Sequence, residues 1–150
     1  MKIAVAADHG GYPLKAEIMT HLSAEGHEVT DLGCNSATES VDYPDYAVLV
    51  GRAVVSGSAD FGIALCGTGI GISIAANKIS GVRAALVHDL TTARLAREHN
   101  NANVLCLGAR TIDSALALAC VDAFLKAQPE ARHQARLDKI TALEQSALQE

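Results

Sequence analysis

Five short strand-like runs recur along the chain, and each is separated from the next by a segment with helix signals. They are Ile3 to Ala7, Glu28 to Leu32, Phe61 to Leu65, Arg83 to Val87 and Val104 to Leu107. Short, mostly apolar runs of this kind suit strands covered on both sides, which is the habit of parallel sheets with helices on each face. Between the first two runs, Pro13 fits a first helical turn, Leu14, Ile18 and Leu22 make one stripe, and Gly26 closes the helix. Tyr43-Pro44 opens a second helix, with Tyr43, Ala47, Val50 and Val54 on one side. Further helices are expected over Ile72 to Lys78, Leu90 to His99 and Ser114 to Lys126, the last capped by Ser114. The alternation predicts a single α/β domain over residues 1–150. Its core is a doubly wound, five-stranded parallel sheet with right-handed crossovers and helices on both faces.

One helix is left over. From Ala131 to Leu148, the residues Leu137, Ile140, Leu143 and Ala147 form an apolar face, yet no strand follows for the helix to return to. A second subunit is the expected partner, which makes 131–148 an intersubunit helix. Arg132 and Arg136 are four apart and fall toward the Ile140–Leu143 side, so they are expected in that interface or in a site beside it.

Ligands of open α/β sheets bind beyond the carboxyl ends of the strands. Three of those ends carry chemistry here. Asp8-His9-Gly10-Gly11 follows the first run, Cys66-Gly67-Thr68-Gly69-Ile70-Gly71 the third and Gly108-Ala109-Arg110 the fifth. A glycine-rich turn aims several backbone N–H groups at one point, and a thiol beside it is placed to act as thiolate next to an anion or developing oxyanion. Two other readings of that turn exist. One is a tight packing turn. The other is a dinucleotide loop, because Gly67-x-Gly69 begins G-x-G-x-x-G and Asp89 falls near the place of the ribose-binding acid. Against the second, Ile72 holds the third glycine position and the loop follows the third strand, not the first. Asp8 can equally be a cap, Arg110 a surface arginine, and His99, ahead of Asn100, a complement to a helix dipole.

Composition removes whole classes of function. Aromatic residues are only 3% of the chain and Trp is absent, so there is no stacking surface for single-stranded nucleic acid. A net charge of −5 opposes general affinity for nucleic acid or acidic membranes. The longest nearly apolar stretch, Ala115 to Leu125, is interrupted by Asp122 and is too short to span a bilayer. No basic-then-apolar leader opens the chain, and the cytoplasm is the expected compartment. Cys34, Cys66, Cys106 and Cys120 show no C-x-x-C spacing, so neither a zinc ribbon nor a redox pair is expected. Cys106 and Cys120 read as packing residues and Cys34 as an incidental loop residue. His21, His27 and His88 read as structural or solvated.

Asp8-His9-Gly10-Gly11, Asp42-Tyr43-Pro44, the run Cys66 to Lys78, His99-Asn100, Gly108-x-Arg110 and Arg132-His133-x-x-Arg136 occur in that order. On these motifs the chain resembles the type B ribose-5-phosphate isomerases over nearly its whole length. The resemblance implies interconversion of ribose 5-phosphate and ribulose 5-phosphate in the pentose phosphate pathway, with no metal and no organic cofactor. It also implies a homodimer, in some members a tetramer, with sites built between chains. By position Cys66 matches the catalytic base and His99 the ring-opening group, and Thr68 would orient the reacting hydroxyls. Asp8, His9, Gly67, Thr68, Gly69, Ile70, Gly71, Asn100, Arg110, Arg132 and Arg136 match substrate-binding positions. One branch of the family uses a Glu further along the loop, but Ile70 to Ser73 holds no carboxylate, so the cysteine branch is the match. The alternatives are an isomerase of allose, galactose or tetrose phosphate, and a non-catalytic sugar-phosphate or nucleotide-binding module.

Overall fold

β1 (Lys2–Ala7), β2 (Glu28–Asp31), β3 (Phe61–Cys66), β4 (Ala84–Leu86) and β5 (Val104–Gly108) form one parallel sheet in the order β2-β1-β3-β5-β4. The structure is a computed structural model that describes residues 1–147. Helices α1 (Tyr12–Ala24), α2 (Tyr43–Val55), α3 (Ile70–Ala76), α4 (Leu90–Glu98) and α5 (Ser114–Lys126) alternate with the strands, and α6 (Gln134–Ala147) follows. The connections from β1 to β2 and from β4 to β5 run one way across the sheet, and those from β2 to β3 and β3 to β4 run the other. Accordingly α1, α4 and α5 pack on one face, and α2 and α3 on the opposite face. That is the division a single crossover hand requires.

The two faces differ in side-chain size. Ile3, Val5, Ile63, Leu65, Leu105 and Leu107 point toward α1, α4 and α5, where Ile18, Leu22, Val121 and Phe124 meet them. Each such buried aliphatic side chain contributes about 1.5–3 kcal/mol. Toward α2 and α3 the strands present Ala6, Ala64, Cys66 and Cys106, so those helices lie close to the sheet. A side chain at Gly62 would collide with Val50 of α2.

Local differences from the expected elements have identifiable causes. Helix α3 begins at Ile70 and not at Ile72, because Gly69 takes φ +76° and turns the chain directly into the helix. The cap of α5 is Asp113, not Ser114: its carboxylate accepts the Leu116 N–H at 2.8 Å. Cys34 is not incidental. It is buried, and its carbonyl accepts from Lys15 Nζ at 2.7 Å, while the same ammonium donates to Asp31 at 2.5 Å. The leftover helix is broken at its start, with a 3-10 turn over Ala131–His133 before α6 begins at Gln134. Leu137 is buried in its own chain, whereas Ile140 and Leu143 are exposed. The expected helix end at Leu148 and the side chain of Ala147 lie outside the described residues. No helix is long and apolar enough to cross a membrane among the described residues.

Candidate active site

The strand order reverses between β1 and β3, so their carboxyl ends open a crevice at a topological switch point. Cys66 is the last residue of β3 and pairs in register with Gly108 of β5. The three loops beyond these ends are stitched together by backbone hydrogen bonds. The Asp8 N–H donates to the Leu65 carbonyl at 3.1 Å, the Ala109 N–H to Cys66 at 3.0 Å and the Arg110 N–H to Gly67 at 2.9 Å. Arg110 then folds its guanidinium across Gly67, where a Cβ would lie 2.7 Å from its Nη1. Asp8 and Arg110 thus meet over Gly10: a Cβ there would be 3.3 Å from Asp8 Oδ1 and 3.2 Å from Arg110 Nη2.

The sulfur of Cys66 accepts the Gly69 N–H at 3.1 Å. Gly69 reaches that position only because it adopts a left-handed φ of +76°. Cys106 is held as a thiol: burial pushes its pKa up, and its neighbour Cys66 adds to the effect. Thr68 is exposed beside the sulfur and accepts the Ile70 N–H at 3.3 Å, which leaves its hydroxyl proton free to donate. Asp8 Oδ1 accepts the Gly11 N–H at 2.9 Å, fixing a nearly buried carboxylate at the crevice. His9 Nδ1 accepts the Val41 N–H at 3.2 Å, so the ring proton sits on Nε2. Sequence reasoning misses Tyr43 as a neighbour of the site, although it stands in the Asp42-Tyr43-Pro44 motif. Its ring packs on Gly71, where a Cβ would come within 2.5 Å of Cζ.

His99, Asn100, Arg132 and Arg136 are not in this crevice of the same chain. His99 ends α4, which runs antiparallel to the strands, and therefore lies at their amino ends. Arg97, two residues earlier, stacks 4.6 Å over Phe61, the first residue of β3. The length of β3 then places Cys66 about 17 Å further along the sheet, at ~3.3 Å per residue. The His99 imidazole has its own surroundings. Its ring centroid is 4.3 Å from that of His133, and its Nε2 accepts from Arg132 Nη2 at 3.4 Å. Arg136 Nη1 donates to His133 Nδ1 at 3.4 Å, and Arg132 Nε donates to Glu130 at 2.5 Å. Arg132 lies on the 3-10 turn and Arg136 on α6, and both guanidiniums reach the same stacked His99–His133 pair.

The loop after His99 is clamped from behind. Arg83 Nε donates to the carbonyls of Asn100 and Asn101, and the buried Arg97 donates to Asn101 Oδ1 at 2.6 Å and to the Ala102 carbonyl at 2.8 Å. Asn101 takes φ +44°, the turn that leaves the neighbouring Asn100 exposed. His133 and Glu130 have no role that sequence reasoning finds, although His133 stands inside the Arg132-x-x-x-Arg136 motif. Burial, then the nearby Arg132, holds the His133 pKa below the ordinary imidazole range. The hydrogen bond from Arg132 holds the Glu130 carboxyl below its ordinary range. Asp89, the candidate ribose-binding acid of the dinucleotide reading, is instead the cap of α4 and accepts the Thr92 N–H at 2.7 Å.

Residues 3–140 match the family model described as Ribose/Galactose Isomerase. Ribose-5-phosphate isomerase B of Escherichia coli (strain K12) is 51% identical over 145 residues, covering 96% of this chain and 97% of its own. The solved ribose-5-phosphate isomerase B of Clostridium thermocellum superposes with a TM-score of 0.96 at 51% identity, over 98% of this chain and 99% of its own. The Mycoplasma genitalium ribose-5-phosphate isomerase B, solved with bound ribulose-5-phosphate, gives a TM-score of 0.92 at 49% identity over 96% of each chain.

Proposed function

The chain belongs to the ribose/galactose isomerase family, and on that premise we infer that it interconverts ribose 5-phosphate and ribulose 5-phosphate. The observation that carries this reading is the Cys66 sulfur at the switch point, held 3.1 Å from the Gly69 N–H with Asp8 and Arg110 beside the same crevice. The resting sugar is a closed furanose without a carbonyl, so a first step must open it. Imidazole moves protons near neutrality, and His99 is the group for that step. The open aldehyde acidifies C2–H. Cys66 thiolate takes that proton and returns it to C1, while a proton passes from the C2 hydroxyl to the carbonyl oxygen. Thr68 and Asp8 are placed to hold these two oxygens. The enediolate between the steps needs hydrogen-bond donors, and the glycine loop offers N–H groups of the kind that stabilise such charge. Arg110, Arg132 and Arg136 hold the phosphate and fix the carbons beside the sulfur.

One chain separates its base from its ring opener, so the working unit in this reading is a homodimer. Each site combines Cys66, Thr68, Asp8, His9 and Arg110 of one chain with His99, Asn100, Arg132 and Arg136 of the other. The exposed Ile140 and Leu143 on α6 supply apolar surface for that association. The unpaired cysteines fit a reducing compartment, and we place the enzyme in the cytoplasm. The test is a panel of phosphorylated pentoses, hexoses and tetroses assayed for aldose–ketose conversion with a chelator present. Ribose 5-phosphate is expected to turn over fastest. Since the family description also names galactose, faster turnover of galactose 6-phosphate would establish the second reading.

A further inference from the structure

We propose that His99, Glu130 and His133 form a site for a divalent transition-metal ion of the Zn²⁺ or Ni²⁺ class, whose binding switches the enzyme off. The three residues come from the end of α4, the segment before the 3-10 turn and the turn itself. Their ligand atoms lie within 4.8 Å of one another. Ligands about 2.1 Å from a tetrahedral ion stand roughly 3.4 Å apart, so closing the site takes side-chain rotations of about an ångström. His99 and Glu130 are only half-buried and have that freedom.

His133 is the fixed member and the independent sign of a ligand. Its side chain is only 11% exposed, and its Nε2 has no hydrogen-bond partner, the Glu130 carboxylate standing 3.7 Å away, beyond hydrogen-bond distance. A buried ring nitrogen without a partner loses the hydrogen bond it would make to water, and a metal ion restores an equivalent interaction.

The neighbours determine which ion fits and how its binding affects the enzyme. Arg132 must leave Glu130, and Arg136 must turn from His133 Nδ1, which carries the ring proton once Nε2 is coordinated. Two nearby positive charges oppose a weakly bound hard cation. Mg²⁺ and Ca²⁺ are therefore excluded, whereas ions that prefer imidazole can compete. Occupation takes His99 out of ring opening and pulls both arginines from the positions assigned to the phosphate. This consequence rests on the function proposed above, but the binding does not.

The experiment is calorimetric titration of the chelator-treated full-length protein with ZnCl₂, set beside Co²⁺ absorption, for wild type, His133→Asn, Glu130→Gln and Cys66→Ala. One ion per chain is expected in wild type and in Cys66→Ala. Affinity should drop by at least about tenfold in Glu130→Gln and become undetectable in His133→Asn. Glu130 is half-buried, so its variant keeps the test valid if His133→Asn does not fold. No stoichiometric binding, binding that survives both substitutions, or binding lost with Cys66 overturns the site. In the second arm, saturating Zn²⁺ should stop ribose 5-phosphate turnover in wild type, whereas C1 proton exchange on ribulose 5-phosphate should fall only through weaker binding and return at high ketose concentration. Turnover that continues with the ion bound, or exchange that raised ketose does not restore, overturns the switching role. A protein that binds the ion but turns over no pentose phosphate refutes the function reading instead.

Discussion

Nη2 of Arg132 stands 3.4 Å from Nε2 of His99, although 33 residues separate them in sequence. A guanidinium only donates, so the imidazole nitrogen is the acceptor of this contact. His99, the proposed ring opener, and Arg132, a proposed phosphate ligand, thus form one unit placed by the amino ends of the strands, while Cys66 sits at the carboxyl ends. If each catalytic centre draws on both units, two chains with different defects must complement each other. Cys66→Ala and His99→Asn homodimers are each expected to be nearly inactive on ribose 5-phosphate. Refolded together they should recover toward about a quarter of wild-type activity, since random pairing makes half the dimers mixed and each mixed dimer has one intact site. Activity that stays at the level of the parents, with mixed dimers shown by mass spectrometry, would mean that each chain is self-sufficient.

Cys66→Ala should lower ribose 5-phosphate turnover by about 10³-fold or more, as expected when a positioned base is lost. The melting temperature should change little, because the substitution removes one small atom from the edge of the core. Iodoacetamide should label Cys66 in the native protein and leave Cys106 unlabelled until denaturant is added, since burial holds Cys106 as a thiol. A Cys66→Ala enzyme with near-normal turnover would remove the base from the mechanism.

His99→Asn separates ring opening from proton transfer. Turnover of ribose 5-phosphate should fall by about 10²-fold. Exchange of the C1 proton of ribulose 5-phosphate should fall far less, because this ketose cannot close a furanose through its phosphorylated oxygen. NMR in deuterated buffer reads the exchange directly. Equal losses in both measurements would assign His99 to the proton-transfer step.

The buried Lys15 provides a test of stability unconnected with chemistry. Its ammonium is almost fully enclosed, while its partner Asp31 is 38% exposed. Removing the carboxylate strands a buried charge, so Asp31→Ala should cost about 3 kcal/mol in urea unfolding. Lys15→Met leaves an aspartate that water can reach and should cost about 1 kcal/mol. The reverse order would show that the pair is not what holds α1 against the loop after β2.

Gly108 lies against the backbone of Thr68, and a Cβ there would collide with the Thr68 carbonyl group. Gly108→Ala should therefore destabilise the fold by about 1–3 kcal/mol and shift the loop that follows Cys66. Turnover should fall together with stability. A variant with normal turnover would show that the loop tolerates the displacement.

The central strands and the Cys66 loop are legible in the sequence because their signals are local: buried apolar runs, and glycines at fixed spacing. The strand order is not, since nothing within β4 or β5 tells which of them lies next to β3. The break at the start of the last helix is hidden for a related reason: Pro129 precedes a 3-10 turn over Ala131–His133, and the spacing of the apolar residues further along does not reveal it. His133 stands in plain view between two arginines, but only the fold shows that it is buried. Asp113 and Ser114 both have capping chemistry, and the backbone alone decides between them.

The placement of β5 between β3 and β4 has a consequence for the order of assembly. As the chain leaves the ribosome, Ala84–Leu86 emerges before Val104–Gly108, the one strand it pairs with among the described residues. Until then β4 has no ladder to join, and the inner edge of β3 stays open. The sheet is thus closed from its middle by the last strand to be made, and the nascent chain carries an unprotected edge through the synthesis of α4. Such a transient edge is where a chaperone would bind or a second nascent chain would mispair.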